Sequence, residues 1–93
     1  MARLNYAYPL NPDWSSEEIA TVIDLMVAVE TAYESKITAK DLLDKYRAFK
    51  GIVDSISEEK QIDRAFQEVS GYSIYRTVQK AKTIKEGQTL SME

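Results

Sequence analysis

The sequence predicts an all-α fold, a small bundle of about four short antiparallel helices with an extended N-terminal arm. Three observations lead there. Apolar residues recur at helical spacing in four separate stretches, and each stretch follows a serine or threonine able to cap a helix. No stretch shows the strict alternation of a half-buried strand. The connections are short, which favours antiparallel neighbours.

Each element can be justified in chain order. Pro9 and Pro12 bias Tyr8 and Asn11 away from helical dihedrals, so residues 5–14 read as an extended lead-in. Tyr6, Tyr8, Leu10 and Trp14 give that lead-in apolar area to lay on the bundle. Ser15 with Glu18 three residues on forms a capping box, and Trp14 with Ile19 a hydrophobic staple, so a helix starts here and runs over about 16–35. Ile19, Val22, Ile23, Leu25, Met26, Val27, Val29 and Tyr33 cover about 200° of its wheel, which marks it as the central helix.

Thr38 caps a second helix near 39–50 with a narrower stripe of Leu42, Leu43, Tyr46 and Phe49. Lys40 with Asp44 and Asp41 with Lys45 are four-apart charge pairs on its wet face. If Gly51 is tolerated internally, it continues to Val53. Ser55 or Ser57 begins the third helix, with Ile62, Ala65, Phe66 and Val69 as its stripe and Glu58 and Glu59 near the positive end of its dipole. Gly71 is a left-handed stop and Ser73 the next cap. The fourth helix carries Ile74, Val78, Ala81 and Ile84 and is expected to end near Gly87. The expected organisation is thus one helical domain over 1–93, with an arm at 1–14, a bundle at 15–86 and a mobile tail at 87–93 that has little to bury.

Composition narrows the chemistry. The 93 residues are 44% hydrophobic and 29% charged, a globular balance. Without cysteine there is no disulfide, thiolate nucleophile or cysteine-held metal, and without histidine most triads and zinc sites are lost. The three glycines are isolated, so no glycine-rich phosphate loop exists. The longest apolar run, Leu25 to Val29, is five residues against the roughly 20 a bilayer needs. The first 20 residues lack the apolar run of an export signal. The expectation is a cytoplasmic protein, not a membrane protein, with no cofactor.

Charge is segregated behind a net value of −3. Residues 1–70 carry −5, whereas residues 71–85 carry +4 from Arg76, Lys80, Lys82 and Lys85. That basic segment also holds Tyr72 and Tyr75, a combination able to stack on and clamp a nucleic acid or a phosphorylated partner. Its helix, glycine turn and basic helix share the outline of a helix-turn-helix. The small and apolar residues usual around such a turn are replaced here by Gln67, Thr77 and Lys80. The structural alternative has the tyrosines filling the seam between helices three and four.

Among the carboxylates, Glu30 stands out because it falls near the middle of the first helix's apolar arc, with Glu34 one turn on. A buried carboxylate needs a cation or hydroxyl to answer it. The pair could ligate a hard cation. The favoured reading is structural: either the arc drifts toward solvent near the helix end, or Glu30 pairs with Arg47, Lys50 or a tyrosine as a lock.

Tyr8-Pro9-Leu10, Trp14-Ser15 with Glu17-Glu18-Ile19, Tyr46-Arg47 with Phe49-Lys50, Gly71-Tyr72-Ser73 with Tyr75-Arg76, and Lys80-Ala81-Lys82 together form a pattern. In order and spacing it resembles the YktA-like family of uncharacterised small proteins from Bacillus-type Gram-positive bacteria. The resemblance spans about residues 5–85 and departs at Gly51-Ile52-Val53-Asp54, where a glutamate is expected first and a proline last. It implies an all-helical cytoplasmic domain and supplies no activity, cofactor or site residue.

The sequence therefore points first to a non-catalytic protein-interaction module contacting its partner through Tyr72, Tyr75, Arg76, Lys80 and Lys82. Nucleic-acid or ribosome association through the same basic helix ranks second. A metal-assisted enzyme at Glu30 and Glu34 ranks last. The partner's identity and the oligomeric state are not written in the sequence.

Overall fold

A computed structural model of the chain describes residues 7–92, which occupy about 35 × 29 × 22 Å. Four helices follow in order: α1 (Ser16–Glu34), α2 (Ala39–Lys50), α3 (Ile56–Ser70) and α4 (Ile74–Ala81). Two strands of two residues, β1 (Ile37–Thr38) and β2 (Thr89–Leu90), pair antiparallel with Ile37 opposite Leu90 and Thr38 opposite Thr89. The fold is a small all-α bundle with this one addition.

Local chemistry accounts for every helix start. Ser15 and Glu18 complete a reciprocal capping box, each side chain accepting from the other's backbone N–H. The hydroxyls of Thr38, Ser55 and Ser73 accept from the N–H groups of Asp41, Glu58 and Arg76. At the far end of α3, Gly71 adopts φ +80° and returns its N–H to the Gln67 carbonyl, a geometry that costs other residues about 1–2 kcal/mol.

The core runs through all four helices. Leu25 and Met26 of α1, Leu42 and Phe49 of α2, Phe66 of α3 and Ile74 of α4 are its largest apolar members. From the arm, Tyr8, Leu10 and Trp14 pack partly buried against it, and Tyr8 stacks on Phe66 with ring centroids 6.3 Å apart. Tyr6 lies outside the described residues. Val27, counted in the apolar arc of α1, is 37% exposed, so that arc is narrower in practice than the wheel suggests.

α2 spans 39–50 as expected; it does not continue to Val53, and the Ile52 and Val53 N–H groups both turn back to the Phe49 carbonyl so that Val53 can bury. Two expectations about element ends are corrected. First, α4 ends at Ala81, short of Gly87. Both the N–H and the hydroxyl of Thr83 take the Lys80 carbonyl, which converts the helix into a turn. Second, the tail has something to bury after all. Leu90 is in the core, the carbonyls of Gln88 and Glu86 accept from the first N–H groups of α2 at Ala39 and Lys40, and Met92 donates its N–H to the Ala32 carbonyl in α1. Residues 86–92 thereby satisfy orphan groups at one end of α2 and near the end of α1.

Candidate interaction surface

The basic-aromatic segment falls at the α3–α4 junction, and its placement begins with a cap. One Asp63 carboxylate oxygen accepts from the Ile74 N–H at 2.8 Å, and the other accepts from the Tyr75 N–H at 3.3 Å. A side chain from the middle of α3 thus supplies what the first turn of α4 lacks, beside the positive end of that helix's dipole. This ties α4 to α3 and fixes the direction in which Tyr75 emerges.

Tyr72 turns inward. It is half-buried, stacks on Tyr33 with centroids 4.4 Å apart and planes 11° from parallel, and donates its hydroxyl to Glu34 at 2.8 Å. The Tyr33 hydroxyl in turn accepts from the Ser73 N–H. Tyr75, by contrast, is 63% exposed. Arg76 and Lys80 are exposed one turn apart, and the Lys80 ammonium donates to the Ser91 carbonyl at 2.6 Å. Lys82 stands over the Tyr46 ring, 5.9 Å from its centroid.

At about 100° per residue, Tyr75 and Lys82 share one flank of α4, while Arg76 and Lys80 share another. The inward stripe between them is Ile74, Thr77, Val78 and Ala81. The five residues therefore do not form one face. Two gather beside a groove, two lie on the opposite flank, and Tyr72 serves the α1–α4 seam.

The groove is the feature that sequence reading missed. It measures about 310 Å³ and lies where α2, α3 and α4 meet. Ile74 and Val78 line it from α4, and Ile56 and Tyr75 are its exposed apolar residues, 67% and 63% exposed. Across it, Glu59 accepts from the Lys50 ammonium at 2.6 Å and from the Tyr46 hydroxyl at 2.7 Å. Burial pushes the Tyr46 phenol up to about 12, and the hydrogen bond and negative charge of Glu59 add to that. Ile56 was the available signal, an isoleucine off the buried stripe between two serines read only as caps.

The carboxylates singled out on α1 do other work. Glu30 is fully buried, and the Tyr8 hydroxyl lies 3.1 and 3.2 Å from its two carboxylate oxygens. A tyrosine from the arm thus answers the charge, while Arg47 bonds Asp44 and Lys50 bonds Glu59. Glu30 and Glu34 are each engaged by a tyrosine from a different segment, Tyr8 from the arm and Tyr72 from the α3–α4 junction. Among the described residues no group of three or more carboxylates is arranged to hold a metal, and no helix is long and apolar enough to cross a membrane.

Residues 5–90 match the model of an uncharacterised protein family, UPF0223. The chain belongs to that family. A UPF0223 protein from Streptococcus uberis is 57% identical over 83 residues, covering 89% of this chain and 90% of the relative. A UPF0223 protein from Bacillus cytotoxicus is 53% identical over 89 residues, covering 96% of this chain and all of the relative. One from Streptococcus thermophilus is 51% identical over 87 residues, with 94% of each chain covered. Kinship within UPF0223 carries no activity over to this chain.

Proposed function

We propose that the chain is a non-catalytic protein-interaction module of the cytoplasm, that within UPF0223 it stands with the YktA-like proteins, and that its contact surface is the α2–α3–α4 groove. The kinship to the Bacillus cytotoxicus protein supports the second part, and the cysteine-free composition supports the compartment. One observation carries the contact surface. The two most exposed large apolar side chains of the described residues, Ile56 and Tyr75, border the same groove. Apolar side chains gathered at a concavity are what a partner can desolvate with gain, and tyrosine is enriched among the residues that carry such binding. This reading moves the surface from the five residues of the basic segment to Tyr75 and Lys82 with Ile56 and Lys60. The protein reading is preferred to nucleic acid because Arg76 and Lys80 point away from the groove and the Lys80 ammonium is already engaged by a carbonyl.

The test is affinity capture from a lysate of the source bacterium with wild type, Tyr75→Ser, Ile56→Ser and Arg76→Glu as baits. The expected result is a protein retained by wild type and Arg76→Glu and lost with both groove variants. Equal capture by all four baits sinks the proposed surface.

A further inference from the structure

We infer that the occupant of the groove is a short acidic segment of a partner protein. It presents one large apolar side chain between Ile56 and Tyr75 and meets Lys60 and Lys82 with its carboxylates. The inference deepens the interaction-module reading and rests on it.

The sign of the charge decides the class. Two acids line the groove, and both are already committed. Glu59 is held by Lys50 and Tyr46, and Asp63 is held by the first N–H groups of α4. The cations differ. Lys60 lines the groove and Lys82 stands over Tyr46, which also lines it, and neither has an ion-pair partner among the described residues. The lining charges balance, Lys50 and Lys60 against Glu59 and Asp63, and Lys82 over Tyr46 leaves the surroundings of the groove one positive charge in excess, on a molecule whose net charge is −3. An acidic segment gains here from Lys60 and Lys82, and the apolar groove between Ile56 and Tyr75 is what distinguishes this site from the Arg76 and Lys80 flank. The volume, at the small end for a ligand pocket, suits a single apolar anchor, and the exposed rim leaves room for the segment's backbone to continue past it.

The experiment uses fluorescein-labelled nonapeptides with a central Leu-Phe flanked by glutamates, by glutamines or by lysines. Binding to the full chain is read by anisotropy and located by amide chemical-shift changes. Expected is binding of the glutamate peptide with shifts at Ile56, Lys60 and Tyr75. Its advantage over the glutamine peptide should be roughly threefold or more, the range two exposed ion pairs supply, and should shrink as salt rises. Lys60→Glu combined with Lys82→Glu should transfer the preference to the lysine peptide with the fold intact by circular dichroism. Equal binding of the three peptides overturns the acidic class while leaving the groove as an interaction surface. Absence of shifts at the groove with the glutamate peptide overturns the inference. Loss of Tyr75 dependence in the lysate capture is what would take the interaction module down with it. A single-stranded oligonucleotide that shifts the same amides more strongly than the glutamate peptide also overturns it.

Discussion

The Tyr8 hydroxyl shares its proton between the two carboxylate oxygens of Glu30, a residue 22 positions further on and fully buried in α1. A charged or polar group so placed is costly without partners, so this contact fastens the arm to the bundle. Tyr8→Phe keeps the ring on Phe66 and removes the donor, and should destabilise the fold by about 1–3 kcal/mol in urea unfolding. In a Glu30→Met background the same change should cost less, because the buried carboxylate that the hydroxyl answers is gone. A double-mutant cycle showing simple additivity would refute the coupling.

Asp63 is the second cross-chain fastening. Asp63→Ala leaves the buried Ile74 N–H without its acceptor and should cost about 1–3 kcal/mol. Asp63→Asn retains an acceptor oxygen and should cost less. Hydrogen exchange gives the sharper readout, since the amides of α4 should lose protection in the alanine variant before those of α1 do.

Alkaline pH should loosen the α2–α3 contact through Tyr46. Its phenol is raised from the ordinary 10.0 to about 12 in the folded protein, so folding favours the protonated form. That contribution is fully present below pH 10 and is lost as pH rises from 10 to 12. Stability should fall across this window, and Tyr46→Phe should fall less steeply. Lysines lose their protons in the same range, so the comparison between the two proteins is the informative one. Ultraviolet titration of tyrosinate should show one late group absent from the variant; parallel stability curves would contradict the assignment.

Leu90 anchors β2. Leu90→Ala should cost about 2–5 kcal/mol, as for other core leucines. Thr89→Ala, at the exposed neighbour, should stay within about 0.5 kcal/mol of wild type. Thermal unfolding that ranks the two alike would mean the strand contributes nothing to the fold.

What was legible in the sequence was whatever a few adjacent residues decide. Ser15, Thr38, Ser55 and Ser73 announced four helices because a cap is a bond to an N–H three residues away. Gly71 announced a left-handed stop because its backbone freedom is its own. Partners distant in sequence were not legible. Asp63 sits on a charged face that needs no explanation until α4 arrives beside it. Leu90 and Met92 are two apolar residues in a short polar tail, and two-residue strands are too short to show alternation. The site follows the same division. Tyr75 could be chosen from its clustering with cations, whereas a groove built by three helices has no local signature. Arg76 and Tyr75 are neighbours in sequence, yet a helix turns neighbours to different flanks.

The second half of α1 is closed from both directions along the chain, by Tyr8 at Glu30 and by the Met92 N–H at the Ala32 carbonyl. Synthesis proceeds one way, so the arm and α1 are made early and wait. Until residues 86–92 have been extruded, the carbonyl at Ala32 and the first amides of α2 lack their partners. The four helices are thus expected to stay loosely joined until residues 86–92 follow them, and to gain cooperative stability when β2 docks on both α1 and α2.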